Sequence, residues 1–320
     1  MSPGPRASRA FATLGCLLAL AACAGPGIAA RVDGDIAQVT LDGAPFASVH
    51  LAARPRPFVF PIFGPGGVPM TRSFPMAEVA LEERDHPHHQ SLWFAHGEVN
   101  GFDFWTSKAH RERLQWNGVC DVEQTATSCR LRCGYRWLAD DDTVVCSEDR
   151  ELIFGGGDAR TIDVRVTLRP AGQALVLGDT KEGTFALRVH PALCVESKTA
   201  TGKLTNSEGQ QDREVWGRKA RWIDDSGTVA GQQVGVAMFD HPTNHGHPTW
   251  WHARTYGLLA ANPFGLHDFE GKPPGAGAVT VPVGGELTLR YRVLLHGAGW
   301  DRARLEAAYE SWAAQPHTTP

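Results

Sequence analysis

Short runs in which apolar and polar residues alternate constrain the fold of this chain more than any other part of its sequence. Alternation gives each strand one buried face and one face in solvent, which predicts an antiparallel meander. Many short strands without alternating helices predict an all-β fold, and we expect a large antiparallel two-sheet β-sandwich. The runs that carry this pattern at strand length are residues 114–122, 127–138, 143–154, 161–168, 234–239 and 287–295.

The flanks of this series add a loop and a helix. Residues 36–51 form short strand-type runs broken by Asp42-Gly43. The Pro-rich residues 55–75 that follow predict one long functional loop. Only residues 301–313 repeat their apolar positions with a helical period. We therefore expect a short C-terminal helix that packs on a sheet.

The first thirty residues have the order of a secretory signal. Basic residues stand first, an apolar run from Phe11 to Ala22 follows, and small residues continue to Ala30. The sequence Leu-Ala-Ala-Cys that ends at Cys23 has the form of a lipobox, which predicts a lipidated N-terminus at that cysteine. Simple cleavage near Ala30 is the alternative. Either route predicts export.

Export sets the expected organisation of the rest of the chain. Residues 1–30 are the expected signal or lipoprotein segment, and residues 31–320 are expected to form a single β-sandwich domain. No later stretch reaches the roughly 18 to 20 consecutive apolar residues of a membrane helix, so a lipid at Cys23 is the only membrane contact we expect. We place the protein in the periplasm or on the outer membrane as a lipoprotein. Its formal net charge of −4 argues against nucleic acid as a partner.

Five cysteines follow the lipobox, and an exported protein can form disulfides. Cys120 and Cys129 flank one polar turn, and Cys133 and Cys146 flank another. We expect these two bridges, with Cys194 reduced and buried. The alternative is that all the cysteines stay reduced and pack as small apolar side chains.

Eight of the fourteen histidines fall in two short segments, residues 85–105 and 240–254. Three carboxylates and two Trp share the first segment, and two adjacent Trp lie in the second. Histidine titrates near neutral pH and carboxylates can be tuned toward it, so this density favours acid–base chemistry. The histidine spacings match no zinc template and no cofactor is predicted, although a divalent metal stays possible. Its expected ligands are His88, His96 and His252.

Charged and polar residues 181–188, 206–209 and 216–218 lie between the two histidine segments. We expect them to meet the histidines in one cleft, because antiparallel sandwiches place distant strands side by side and so many polar groups are costly in a core. The expected acid–base residues are His88, His252, Glu182 and Glu208. The expected substrate-binding residues are His89, His96, Lys181, Arg188, Arg254 and Trp251, the last as a wall for stacking on a sugar ring.

Four stretches together carry a resemblance to a known family: DHPHHQSLWFAHGEVNGFDFW, KEGTFALRV, NSEG with WGRKARW, and FDHPTNHGHPTWWHARTYGLLAANPFG. They resemble a mostly exported bacterial family that is labelled methane oxygenase PmoA and is treated as a domain of unknown function. The resemblance implies a two-sheet sandwich like that of sugar mutarotases. A genuine membrane methane monooxygenase subunit would need several apolar spans, which this sequence does not have after its first segment.

Three hypotheses about function follow. The first is an exported carbohydrate-active enzyme, a hydrolase, lyase or epimerase, that uses histidine and carboxylate acid–base chemistry in a sandwich cleft on a carbohydrate or glycan substrate. The second is a surface lipoprotein that binds glycans without turnover. The third is a metal-dependent oxidoreductase.

Overall fold

The computed structural model describes residues 27–108 and 111–315. Cys23 and the rest of the expected signal segment up to residue 26 lie outside the described residues. The strands are β1 (Ile28–Asp33), β2 (Ile36–Leu41), β3 (Ala44–His50), β4 (Phe58–Ile62), β5 (Leu92–His96), β6 (Arg113–Gln124), β7 (Ser128–Leu138), β8 (Val144–Gly155), β9 (Ala159–Pro170), β10 (Leu175–Leu177), β11 (Gly183–Arg188), β12 (Lys203–Asn206), β13 (Trp222–Val229), β14 (Gln232–Asp240), β15 (Trp250–Trp251), β16 (Leu258–Asn262), β17 (Val279–Val281) and β18 (Leu287–His296). The helices are α1 (Leu266–Glu270) and α2 (Arg302–Ala313).

Two large sheets build the fold. The first sheet has the spatial order β1-β2-β3-β4-β5-β11-β16-β15, and the second has the order β12-β13-β14-β18-β9-β8-β7-β6. Strands β10 and β17 form a small third sheet, and the pairings in all three sheets are antiparallel. One large apolar cluster with residues from both large sheets lies between them. The predicted antiparallel two-sheet β-sandwich is therefore confirmed.

The predicted meander forms one side of the second sheet. Strands β6, β7, β8 and β9 pair in sequence order, and the two later predicted runs lie within β14 and β18, which continue the same sheet. Residues 129, 131, 133, 135 and 137 of β7 are buried, which is the alternation that the sequence indicated. In the first sheet, Asp42 and Gly43 both adopt positive φ and close the tight turn between β2 and β3.

The Pro-rich residues 55–75 differ from expectation, because they are not a single long loop. They contain strand β4, which pairs with β3 and β5 and so joins the two halves of the first sheet. Proline is tolerated at Pro61 because β4 makes only a few pairing contacts on each side.

The C-terminal helix is confirmed as α2. The side chain of Asp301 caps its first turn by accepting a hydrogen bond from the amide of Arg304 at 2.9 Å. Leu305, Tyr309 and Trp312 are buried against the second sheet, in a cluster that lies outside the main core. In the described part of the chain, neither helix is long and apolar enough to cross a membrane.

Both expected disulfide pairs are wrong, and the register of the hairpins explains why. The tight turn between β6 and β7 places Cys129 opposite Gln124 and Cys133 opposite Cys120. Cys146 of β8 lies opposite Trp137 of β7. All five cysteines of the described residues are unbridged, and Cys194 is buried and reduced as expected.

Candidate functional site

The candidate site lies on the face of the first sheet that points away from the sandwich core. The register aligns Ala186 of β11 with Trp93 of β5 and with Ala260 of β16, and these side chains form a separate apolar cluster on the outer face. Phe94 and Phe185, their neighbours along the strands, point into the core. The stretches before and after β5 pack over this face, with the rings of His89 and Trp105 against Trp93.

Asp85 is the charged centre of this segment. Arg188 donates to both of its carboxylate oxygens at 3.0 and 3.2 Å, and Arg72 donates to Oδ1 at 2.5 Å. Both arginines are buried, at 1% and 2% exposure. Burial alone would raise the pKa of Asp85, but the charge of Arg188 and the hydrogen bond to His86 outweigh it and lower the pKa. Asp85 is therefore a fixed carboxylate anion.

His86 is held by that anion. Its Nδ1 lies 2.5 Å from Asp85 Oδ2, and Arg72 donates to its backbone carbonyl at 3.0 Å. His86 adopts a φ of 44°, an uncommon region for a residue with a side chain, which these bonds stabilise. With Nδ1 bonded to Asp85, the Nε2 atom has no partner among the described residues and the ring is exposed. An imidazole oriented by a carboxylate and open at Nε2 can donate or accept a proton.

A column of parallel rings fixes the plane of His86. The ring stacks on Tyr256 at 5.1 Å on one side and on His89 at 4.7 Å on the other, and His89 stacks on Trp93 at 5.3 Å. The guanidinium of Arg188 lies over Tyr256 at 4.5 Å and also contacts His89 Nδ1 at 3.2 Å. Burial lowers the pKa of His89 well below its ordinary value, with further lowering by the charge of Arg188. His89 is thus a neutral spacer in this column.

His88 lies beside a cleft of about 670 Å³. Gln90 and Lys108 also line this cleft. Neither nitrogen of the His88 ring has a hydrogen-bond partner in the described part of the chain, and the ring lies 5.7 Å from that of His86. Burial, then the charge of Arg56, lowers the pKa of His88 to about 4, so the ring is neutral at neutral pH.

Unpartnered polar atoms surround this part of the site. Arg56 is fully buried and donates to two backbone carbonyls, those of Phe104 and His88, and burial lowers its pKa to about 9. Buried polar atoms are normally hydrogen-bonded, so a cluster of exceptions marks a place where water or a ligand is expected. The atoms without a partner among the described residues are Arg56 Nε, Gln90 Oε1, Trp93 Nε1 and Trp105 Nε1.

Glu182 is the carboxylate that stays available in this region. It precedes β11, its side chain is about one third exposed, and its nearest cation is Lys181 Nζ at 3.8 Å. Lys181 is shared with Asp268, whose carboxylate lies 3.6 Å from Nζ. Burial raises the pKa of Glu182 more than the charge of Lys181 lowers it, and the charges of Asp103 and Asp268 raise it further. A partly buried carboxyl group with a raised pKa can serve as an acid or a base.

His252 supports Glu182 through the backbone. Arg254 donates to His252 Nε2 at 3.2 Å, so Nε2 is the acceptor and the proton is on Nδ1. Nδ1 then donates to the carbonyl of Lys181 at 2.9 Å. Burial, followed by the charge of Arg254, lowers the pKa of His252 to about 4. Both nitrogens are occupied, so His252 positions the segment before β11 that carries Glu182.

Three other expected site residues lie elsewhere. His96 is fully buried, and its Nε2 donates to the carbonyl of Gly178 at 2.8 Å. A side chain at Gly183 would meet His96 Nδ1 at 2.4 Å, so glycine is required there. Trp251 is also fully buried and donates to the carbonyl of Ala220 at 2.9 Å, which leaves no ring face for a sugar.

The third of these residues, Glu208, lies in the turn after β12 on the second sheet. It is exposed, and its side chain accepts from Ser207 at 2.9 Å. The structure therefore does not bring it together with His88 and Glu182. The expectation that one cleft gathers all these groups fails for Glu208 because β12 is an edge strand of the opposite sheet.

Most of the second histidine segment has a structural role. Asp240 is buried and accepts from Asn244 at 2.7 Å, from the amide of Thr249 at 2.9 Å, and pairs with His247 Nδ1 at 2.7 Å. His247 Nε2 lies 3.4 Å from the hydroxyl of Tyr309 on α2. This network ties the connection between the two sheets to the C-terminal helix. Only His252 and Arg254, at the end of the segment, reach the candidate site.

The expected metal ligands do not form a set. His96 and His252 use nitrogens within the protein, as described above. Within residues 27–108 and 111–315, no group of three or more His, Cys, Asp or Glu side chains is placed to hold a metal ion.

Sequence reasoning did not single out five residues of the site: Asp85, His86, Arg56, Arg72 and Tyr256. The pair Asp85-His86 stands at the start of the first histidine segment. A carboxylate next to an imidazole in the sequence is a signal by which this pair could have been found. The sequence gives no signal for the buried arginines Arg56 and Arg72, because isolated Arg residues are normally exposed to solvent.

Comparison with known proteins gives a family and a set of distant structures. No curated protein matches the chain. Among solved structures, heparan sulfate lyase HepC from Pedobacter heparinus matches at 10% identity and a TM-score of 0.36, over 87% of this chain and 36% of the lyase, so the chain spans about a third of that enzyme. An aldose epimerase homologue from C. elegans matches at 7% identity and a TM-score of 0.34, over 85% of this chain and 99% of the homologue.

A putative aldose 1-epimerase from Escherichia coli K12 is similar to the same degree, with 10% identity, a TM-score of 0.34 and coverage of 84% of this chain and 99% of that chain. Residues 37–310 match the model of a family of unknown function, DUF6807. The chain belongs to the DUF6807 family.

Proposed function

We propose that this chain is an exported enzyme that transfers protons on a carbohydrate, as an epimerase or a lyase. The observation that carries the proposal is the Asp85–His86 pair, which two buried arginines hold in place, together with the raised pKa of Glu182 just before β11. An oriented imidazole and a carboxyl group with a raised pKa are the pair that proton abstraction and return require.

The number of available carboxylates favours proton transfer over glycoside hydrolysis. Most glycoside hydrolases use two carboxylates that flank the scissile bond. Asp85 is neutralised by Arg72 and Arg188, and Asp103 accepts two amide hydrogen bonds in the turn at residues 103–106. Among the described residues of this region, Glu182 is then the carboxylate that we assign to proton exchange.

In the proposed reaction, Glu182 accepts a proton from the sugar and His86 supplies one from Nε2. Asp85 stabilises the protonated imidazole because its charge is fixed at Nδ1, and the return of the proton to the other face gives epimerisation. His88 is neutral and lines the neighbouring cleft, with its ring 5.7 Å from that of His86, so it accepts or donates a hydrogen bond to a sugar hydroxyl that extends into this cleft. Gln90 and Lys108, on the same cleft, supply further polar contacts.

Paired substitutions test this proposal. The purified full chain is screened with aldoses by polarimetry and with uronate-containing glycans by the ultraviolet absorbance of unsaturated products. We expect Glu182→Gln and His86→Gln each to lower turnover by about 100-fold or more, within the usual range for an acid–base group. The matched control is Glu286→Gln, an exposed carboxylate that pairs with Arg169 on the second sheet.

Three results would count against the proposal. Equal turnover in Glu182→Gln and in Glu286→Gln would exclude Glu182 as the acid or base. Loss of turnover in Glu208→Gln but not in Glu182→Gln would favour the other carboxylate expected from the sequence. Sugar binding without turnover of any substrate would instead support a glycan-binding lipoprotein.

A further inference from the structure

Cys120 and Cys133 face each other across the hairpin formed by β6 and β7. They are directly opposite in the strand register, and their Sγ atoms lie 3.1 Å apart. Cys133 is buried on the inner face of the hairpin, whereas Cys120 is half-buried. The register between β6 and β7 shifts between Trp116 and Cys120. Cys120 is therefore the first residue of the outer part of β6, residues 120–124, to pair with β7. The two thiols therefore lie just after this irregularity, on the edge strand β6 of the second sheet and on its neighbour β7.

We propose that Cys120 and Cys133 are a modification site at which a disulfide oxidant closes a Cys120–Cys133 bridge. Residues directly opposite on antiparallel strands have Cβ atoms about 4.5 to 5.5 Å apart, and a disulfide needs about 3.5 to 4.5 Å. Closure thus requires only a small approach of the two strands. The bridge would fasten the outer part of β6 to β7.

The two thiols have pKa values that shift in opposite directions, so they take different roles in the oxidation. The hydrogen bond from Cys133 lowers the pKa of Cys120, and the same bond raises the pKa of Cys133. Cys120 is therefore the thiolate that attacks one sulfur of the oxidant, which forms a mixed disulfide and releases one thiolate of the oxidant. Cys133 then loses its proton and attacks Cys120 Sγ, which releases the second thiolate. Two protein thiols are oxidised, and one disulfide of the oxidant is reduced to two thiols.

The other cysteines of the meander do not compete. Cys129 is opposite Gln124 and Cys146 is opposite Trp137, and both cysteines are buried. Burial raises the pKa of Cys129 to about 11 and also raises that of Cys146. Access and thiolate character both select Cys120.

Peptide mapping tests the proposal without any substrate. The folded full chain is incubated with oxidised glutathione, remaining thiols are blocked with N-ethylmaleimide, and the protein is cut with trypsin and the Glu-specific protease. These cuts place Cys120, Cys129 and Cys133 in separate peptides, residues 114–123, 124–130 and 133–136. We expect peptide 114–123 joined to peptide 133–136, with the loss of the two thiol hydrogens.

Variants make the result specific. Cys129→Ser is expected to leave the cross-link unchanged, and Cys133→Ser is expected to leave Cys120 blocked by N-ethylmaleimide or by glutathione. The proposal is overturned if, after incubation of the wild type with oxidised glutathione, N-ethylmaleimide still reacts fully with both Cys120 and Cys133, because both would then still be thiols. It is also overturned if peptide 114–123 joins only to a peptide other than 133–136.

Discussion

Replacing His252 with Asn is expected to make folding stability less sensitive to acid. In the wild type the buried ring donates to the carbonyl of Lys181 and accepts from Arg254. Burial, followed by the charge of Arg254, lowers the pKa of His252 to about 4. In an unfolded chain the pKa of a histidine is about 6.5. Between these two values the unfolded chain binds a proton that the folded protein excludes, so stability falls as the pH falls through this window.

The size of the effect follows from the two pKa values of His252. At about 1.4 kcal/mol per pKa unit, the linkage amounts to about 3 kcal/mol once the pH is below 4, of which about 2 kcal/mol is lost between pH 7 and pH 5. A typical domain has a total stability of about 5 to 15 kcal/mol, so one ring accounts for a measurable share. Asn keeps an amide donor near the position of Nδ1 and does not titrate.

Urea unfolding of both proteins at about pH 7 and about pH 5 measures this difference. We expect the unfolding free energy lost between the two pH values to be about 2 kcal/mol smaller in His252→Asn than in the wild type. Other titrating groups, such as Asp85 and His296, are common to both proteins and cancel in the comparison. Equal losses in the two proteins would refute the reasoning, because His252 would then not be held neutral by its surroundings.

Three further predictions use other parts of the molecule. Asp85→Asn should lower turnover by about 100-fold or more because His86 loses its orienting anion; unchanged turnover in a folded variant would contradict this. Glu148→Gln should lower the unfolding free energy in urea by about 3 to 5 kcal/mol, since Glu148 is buried and is the carboxylate partner of the buried Arg150 at 2.5 Å; a loss below about 1 kcal/mol would be too small for a broken buried pair. Cys23→Ser should move the protein from the membrane fraction to the soluble fraction or block its processing, and unchanged fractionation would favour cleavage near Ala30.

The strands of the meander could be predicted from sequence because their signal is local. Each run of alternating residues reports its own buried face, as residues 129 to 137 of β7 do. The register between strands is not local, because it depends on how many residues the turn uses. The prediction of the bridges Cys120–Cys129 and Cys133–Cys146 failed for this reason. The tight turn between β6 and β7 pairs Gln124 with Cys129, and it therefore pairs Cys120 with Cys133.

The sequence predicted part of the composition of the site but not its geometry. Arg188 and the first histidine segment were expected together, and the structure brings Arg188 into contact with Asp85 and His89 of that segment, whereas His96 lies buried elsewhere. The roles of individual histidines could not be read, because they depend on which ring nitrogen finds a partner. His86, which has an open Nε2, and His252, whose nitrogens are both occupied, look equivalent in the sequence.

Strand β11 explains how residues so far apart in the chain form one site. Arg188 ends this strand and holds Asp85, and Glu182 stands immediately before its start. Six residues of extended chain span about 20 Å, so the two ends are too far apart to touch directly. Asp85 and His86 are held at the Arg188 end of this strand, and Glu182 stands at its other end. Because β11 is paired on both sides, by β5 and β16, its length fixes the separation of the two groups that we propose exchange protons with the sugar.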